Sequence, residues 1–546
     1  MARADASLAL QEGWTKMLEG FTPWPTDLAA QYREAGYWRG ETIDDLLRRV
    51  AADAAERVAV IDGDRQLTYA TLEDEVCRTA AAFARAGLRC GQTVVLQLPN
   101  RVEFVTVFFA LQRLGVVPVL ALPSHRSKEI SHFCHIAGAA AYVYSGAGAG
   151  EDYRAVAIEV CGVYRDMTAL RIEDLDGDTG VAQTPSAATS SDVAVLLVSG
   201  GTTGLPKLIP RTHDDYLYNA RAAAAFVGLT EDDVYLAALP AAHNFTLACP
   251  GILGTLSVSG TVVLAANAAP DEVFELIESH RVTVTAAVPA AARVWAEATE
   301  WSAEDLSTLR LLQIGGARLL PEHAPQLREA FGPVVQQVFG MAEGLLNMTE
   351  LDASTEVIDT TQGRPLSPGD EIRVVNDHDN DLPPGSVGQL LTRGPYTIRG
   401  YFRAPEHNVD AFTADGFYRS GDLVRLATTG HLVVEGRVKD QINRAGEKIA
   451  TAEVEEALVG HPRVSDVAVV GLPDEILGER SCAFIILDGD AGLNLTRDEV
   501  GQHLTANGLA AYKIPDEIRV VDAFPVTGVG KTDKRALSSL PEKGDS

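Results

Sequence analysis

Up to about residue 180, apolar runs such as VVLQLP (94–99) and AAYVYS (140–145) alternate with helix-period stretches such as Leu72 to Ala86. A run that is apolar at every position is a strand covered on both faces, so the alternation predicts βαβ units and a mostly parallel sheet. The same rhythm resumes after residue 190 with AVLLVSG (194–200), VYLAALP (234–240), TVVLAA (261–266), VTAAVP (284–289) and LRLLQIGG (309–316). This predicts a second α/β layer following the first. From Gly363 to Leu432 the texture changes to short segments rich in Gly, Pro and Asp, including DNDLPPGSVG (379–388), which suits antiparallel strands joined by turns. The last hundred residues read as a separate unit: a helix at Thr451 to Leu458, strands at 464–473 and 482–488, and a helix near Arg497 to Asn507. The pattern therefore predicts an α/β protein. Its large N-terminal domain, 1–437, holds two α/β subdomains plus a small β subdomain at about 363–437, and a smaller mobile α+β C-terminal domain spans 438–546.

Composition narrows the classes open to such a fold. With 546 residues, 46% apolar and 22% charged, the chain has the balance of a large folded enzyme. A net charge of −29 excludes nucleic acid as a partner, since phosphate-backbone binding needs a basic footprint. No membrane role is expected either: the most apolar stretch, Phe104 to Leu122, is interrupted by Arg113, Gly115 and Pro118. The N-terminus lacks a basic region before an apolar run, and the six cysteines show no metal or CxxC spacing, so a cytoplasmic protein with reduced thiols is expected.

The segment Ser199-Gly200-Gly201-Thr202-Thr203-Gly204-Leu205-Pro206-Lys207 follows a strongly apolar strand. Three glycines let backbone amides approach a polyphosphate, the hydroxyls add donors, and Lys207 supplies charge. It is not a Walker A loop, because Leu205 and Pro206 separate the last glycine from the lysine. This loop resembles the signature of the acyl-adenylate-forming superfamily of acyl-CoA synthetases and peptide-synthetase adenylation domains. Five further motifs follow in the family's order, so the resemblance spans nearly the whole chain. Phe339-Gly340-Met341-Ala342-Glu343 implies Phe339 on adenine, with Val338 and Gly340 beside it, and Glu343 holding Mg²⁺. Gly315-Gly316-Ala317 implies a strand end along the adenine and the acid, and Tyr418-Arg419-Ser420-Gly421-Asp422 implies a ribose-binding Asp422. Gly436-Arg437-Val438-Lys439-Asp440 implies Arg437 near the ribose and phosphates, with Lys439 as the hinge. Finally, Pro525-Val526-Thr527-Gly528-Val529-Gly530-Lys531 implies a mobile catalytic Lys531 between the substrate carboxylate and the α-phosphate.

The chemistry this implies is attack of a carboxylate on the α-phosphorus of ATP with release of pyrophosphate, aided by Lys207, Lys531 and Mg²⁺. A thiol then takes the acyl group. Within the family, the run from Ala242 to Gly251 resembles the substrate loop of the aryl-acid branch, which includes 2,3-dihydroxybenzoate–AMP and salicylate–AMP ligases. The resemblance implies His243, Asn244, Phe245, Cys249, Gly316 and Leu346 around the acid, with Asn244 on its ortho hydroxyl. Cys249 stands where the dihydroxybenzoate pattern has serine, and Leu346 where it has valine. Both changes disfavour a second hydroxyl, so salicylate is the expected acid, with 2,3-dihydroxybenzoate, 3-hydroxypicolinate and anthranilate as the other candidates. Only a short, mostly polar tail follows Lys531, so the expected acceptor is the phosphopantetheine of an aryl carrier protein in trans, or coenzyme A. The competing class, a non-catalytic adenylate-binding protein, is opposed by the presence of Lys207, Glu343, Asp422 and Lys531.

Overall fold

A computed structural model of the chain describes residues 18–146, 153–175, 188–199, 206–444, 447–474, 476–488, 495–507, 509–528 and 530–540. Two large sheets dominate. One has six strands, in the spatial order Thr168–Arg171, Ala141–Tyr144, Thr93–Gln97, Val117–Leu120, Val193–Val198 and Leu208–Thr212. Only its last pair is antiparallel. The other has nine strands, in the order Arg364–Pro365, Gly344–Met348, Val335–Met341, Leu311–Gly315, Val284–Ala287, Val234–Ala237, Thr261–Leu264, Val58–Asp62 and Arg65–Thr68. It is parallel through the middle and antiparallel at both ends.

Each buried apolar run thus forms a strand, but the expected succession of one layer after the other is corrected. The strand Val193–Val198 joins the first sheet beside Val117–Leu120, whereas Val58–Asp62, from the start of the chain, joins the second beside Thr261–Leu264. A strand apolar on both faces suits either sheet equally. Its place is decided by which helices cover it, and the local pattern carries no record of that.

The helix Val102–Leu114 shows what the apolar stretch around Phe104 is for. It is buried on every side from Phe104 to Arg113, as expected for a helix enclosed by core. Its one buried charge, Arg113, donates from Nε to Asp44 at 2.8 Å and from a terminal nitrogen to Glu73 at 2.7 Å. Among the described residues, no helix is long and apolar enough to cross a membrane. Helix starts carry their own signals. Thr42 with Asp45, Thr212 with Asp215 and Thr496 with Glu499 form reciprocal capping boxes, each stabilising its helix by about 1 kcal/mol.

The Gly- and Pro-rich region forms a four-stranded antiparallel sheet, Glu371–Val375, Val387–Arg393, Tyr418–Leu426 and Leu432–Arg437. Its last strand runs directly into a single turn at Val438–Asp440. Beyond that turn lies the C-terminal α+β unit, where Gly478–Leu487 is flanked by Val464–Asp474 and Glu517–Val520, and the helices Thr451–Val459 and Arg497–Ala506 cover the sheet. This smaller unit rests on the large one through two ion pairs, Arg293 with Asp466 and Arg318 with Glu456, each at 3.0 Å.

Candidate active site

The large and small units enclose a cavity of about 890 Å³, lined by residues of both. Gly316, Ala317, Val338, Phe339, Gly340, Asp422, Arg437, Lys439 and Lys531, drawn from five separate motifs, all face it.

The phosphate-loop motif begins at the neighbouring sheet edge. The Ser199 N–H donates to the Lys207 carbonyl and the Lys207 N–H donates to Ser199 Oγ, both at 2.9 Å, so the two residues close the neck of the loop. Gly200, Gly201, Thr202, Thr203 and Gly204 lie outside the described residues. The Lys207 ammonium sits 5.8 Å from the centre of the Tyr401 ring, and Tyr401 donates its hydroxyl proton to Glu343 Oε1 at 2.7 Å. A second hydroxyl, that of Tyr418, lies 2.9 Å from Tyr401 Oη. The lysine and the carboxylate are thus held around one buried tyrosine. The sequence reading missed Tyr401, which stands in the unremarkable run Arg399-Gly400-Tyr401-Phe402.

Asp422 and Arg437 are register partners on adjacent strands. Arg437 Nε donates to Asp422 Oδ1 at 2.9 Å, and the Asp422 N–H donates to Ser420 Oγ at 3.0 Å. Burial pushes the Asp422 carboxyl above the usual carboxylate range, and Arg437 opposes that rise. Arg437 is in turn held more firmly charged by Asp422.

Lys531 stands on a tight turn. The Thr527 N–H donates to the Lys531 carbonyl at 2.7 Å, and the Lys531 N–H donates to Thr527 Oγ1 at 3.2 Å. From there its side chain crosses the cleft to the strand end at Gly315-Gly316. A Cβ on Gly316 would meet Lys531 Cε at 3.2 Å, and one on Gly315 would meet the Phe245 ring at 2.9 Å. The two glycines are therefore a wall thin enough to have the lysine on one side and the loop of Phe245 on the other. Burial pushes the Lys531 ammonium down to about 8, Arg437 adds to the fall, and Asp422 and Glu343 oppose it.

Behind that wall, Phe245, Cys249, Leu346 and Val338 share one hydrophobic cluster. The loop carrying the first two is a short helix, Asn244–Ala248, capped by His243, whose Nδ1 accepts from the Phe245 N–H at 3.3 Å. Burial, with Lys531 nearby, pushes the His243 imidazole down to about 3, which keeps it neutral. Asn244 Oδ1 accepts from the Tyr216 hydroxyl at 3.0 Å, and Asn244 Nδ2 lies 3.5 Å from Cys249 Sγ. Burial pushes the Cys249 thiol up to about 12.

Leu346 is placed by a second missed tyrosine. Its N–H donates to Tyr396 Oη at 3.0 Å, and Tyr396 donates to Asp370 Oδ2 at 2.6 Å. The preceding Leu345 has φ of +61°, a left-handed conformation costing roughly 1–2 kcal/mol in a residue with a side chain. The bond from Leu346 to Tyr396 secures that turn and keeps the Leu346 side chain over Gly340. Tyr216 and Tyr396 give little local sign of their role. The only available hint is a phenol, which needs a partner, set in a segment otherwise suited to burial.

Comparison with known proteins agrees with this geometry. Residues 47–402 match the AMP-binding enzyme family, and residues 453–531 match the AMP-binding enzyme C-terminal domain. The chain is 51% identical to the 2,3-dihydroxybenzoate-AMP ligase of Bacillus subtilis, over 96% of this chain and 99% of that protein. It is 49% identical to the salicyl-AMP ligase / salicyl-S-ArCP synthetase of Mycobacterium tuberculosis, over 95% and 94% respectively. The solved apo structure of Mycobacterium smegmatis MbtA superposes with a TM-score of 0.75 at 46% identity, covering 95% of this chain and 98% of that one. A cleft lined by five adenylation motifs, a buried loop behind it and this likeness over nearly the full length converge: the chain belongs to the AMP-binding enzyme family and is one of its aryl-acid–AMP ligases.

Proposed function

We propose that this enzyme activates salicylate as its acyl adenylate and then passes the acyl group to the pantetheine thiol of an aryl carrier protein. The observation that carries the choice of acid is the pairing of Cys249 with Leu346 in the cluster beside Asn244. A thiol held protonated by burial is a weak partner for a second hydroxyl, and the leucine side chain fills space that valine would leave open. The salicyl-AMP ligase name of the Mycobacterium tuberculosis relative fits this reading, and its salicyl-S-ArCP synthetase name fits the acceptor.

The adenylation step joins two anions, so its barrier is lowered by positive charge set in place beforehand and by alignment of the carboxylate with the α-phosphorus. Lys531 bridges these two groups, and Lys207 meets the β- and γ-phosphates with the loop from Ser199 to Gly204. Asp422 binds the ribose hydroxyls, Arg437 lies beside the ribose and phosphates, and Phe339 packs on adenine. No general base is needed, because the acid enters ionised. Glu343 fits a hard divalent cation: one carboxylate oxygen accepts from Tyr401, the group is buried, and Lys207 lies over the ring of the same tyrosine, where a phosphate would come. Mg²⁺ there would supply charge neutralisation on the phosphate oxygens. Rotation at Lys439, between residues 1–437 and 438–546, then withdraws Lys531 for the thiol transfer.

Pyrophosphate exchange with salicylate, 2,3-dihydroxybenzoate, benzoate, anthranilate and 3-hydroxypicolinate tests the acid. Salicylate should give the highest kcat/KM, and a preference for 2,3-dihydroxybenzoate would refute the reading of Cys249 and Leu346. Acyl transfer to a pantetheinylated carrier should outpace transfer to free coenzyme A.

A further inference from the structure

We propose that Tyr216 is a positioning residue that fixes the Asn244 amide as a hydrogen-bond donor toward the acid, so that the enzyme selects acids whose ortho group accepts a hydrogen bond. The proposal rests on the aryl-acid reading above and deepens it.

Tyr216 lies on the helix His213–Phe226 and is fully buried. Its ring carries the Arg211 guanidinium at 4.8 Å, and Arg211 is paired with Asp215 at 2.5 Å, both side chains at 0% exposure. This stack packs one face of the ring, and the hydroxyl donates to Asn244 Oδ1 at 3.0 Å. That bond takes one of the two lone pairs on the amide oxygen and fixes which end of the amide carries the N–H₂, so Asn244 holds a donor at a set place.

The other end of the amide agrees with this orientation. Cys249 directs its S–H at the Asn244 main-chain carbonyl, 3.4 Å away, so the sulfur faces Nδ2, at 3.5 Å, with its lone pairs. Turning the amide over would set Oδ1 against those lone pairs.

A fixed donor reads chemistry as well as shape. The phenolic oxygen of salicylate keeps an in-plane lone pair outside the ring's conjugation and can accept a hydrogen bond with it. The amino group of anthranilate, of nearly the same size, is a poor acceptor because its lone pair is conjugated into the ring. Benzoate has nothing at that position. A site that discriminates through a polar partner separates near-isosteres more sharply than an apolar pocket can.

The test is pyrophosphate exchange by the full-length enzyme and its Tyr216→Phe variant on salicylate, anthranilate and benzoate. Phenylalanine keeps the ring beneath Arg211. The wild type should favour salicylate over anthranilate by about tenfold or more, and in Tyr216→Phe the salicylate-to-benzoate ratio of kcat/KM should fall by about tenfold, mainly through KM. A parallel loss on all three acids would reduce Tyr216 to a structural role and overturn the proposal, as would an unchanged ratio. Should a thermal melt show that the variant does not fold, the wild-type ranking decides, and anthranilate equal to salicylate overturns it. A wild type that exchanges with none of the three would instead refute the aryl-acid reading itself.

Discussion

The cleft and the pocket lie back to back across Gly315-Gly316, yet they are built in opposite ways. The cleft is assembled from two units, with Lys531 entering from the C-terminal side and Asp422, Arg437 and Phe339 from the large one. The pocket is built wholly within the large unit, where Asn244 and Leu346 are held by tyrosines, Tyr216 and Tyr396, anchored in the same core. The difference teaches where change can be tolerated. Charges that meet across an interface can part and return, whereas a selective wall must keep one shape through the whole cycle.

The largest expected effect comes from removing the lysine that the small unit contributes to the cleft. Lys531→Ala should lower adenylate formation by about a hundredfold or more while leaving the melting temperature unchanged, measured by pyrophosphate exchange and calorimetry. Normal turnover in that variant would break the comparison outright. On the pocket side, the double change Cys249→Ser with Leu346→Val should shift the ratio of kcat/KM for 2,3-dihydroxybenzoate over salicylate upward by about tenfold, with ATP affinity unaltered.

Acidity provides a third, smaller probe. The Lys531 ammonium, held down to about 8, loses its proton as pH rises through that value. Because the charged form is the useful one, kcat/KM should fall by about fivefold between pH 8 and pH 9. His243, held near 3, is already neutral and adds no inflection over that range. The smallest effect is expected at the interface: Arg293→Ala, which removes the ion pair to Asp466, should slow adenylation by about two- to threefold and leave thiol transfer from preformed adenylate unaffected.

Much of the cleft was legible beforehand because its residues sit in contiguous motifs, where glycine, lysine and carboxylate fall at fixed spacing. Gly316, Asp422, Arg437 and Lys531 all reach the one cavity from widely separated stretches of chain. The pocket was legible only at the residues for which the family resemblance implies a place around the acid. Tyr216, Tyr396 and Asp370 stand behind those residues in a chain of hydrogen bonds, and their neighbours in sequence carry no trace of the partner, which arrives from elsewhere in the fold. The sheet assignments failed for the same reason. Val193–Val198 is an apolar strand by its own pattern, but the edge it joins is set by strands some seventy residues earlier.

The last rung of the small antiparallel sheet pairs Asp422 with Arg437 immediately before the turn at Val438–Asp440. A rotation at Lys439 would carry away everything beyond that rung and leave the rung itself at rest. With Asp422 and Arg437 holding the ribose as proposed, such a rotation would exchange one set of tools for another without releasing the nucleotide. An acyl adenylate is a mixed anhydride that water destroys, so on that proposal the arrangement would amount to custody: the labile intermediate would stay with its holder until the thiol arrives.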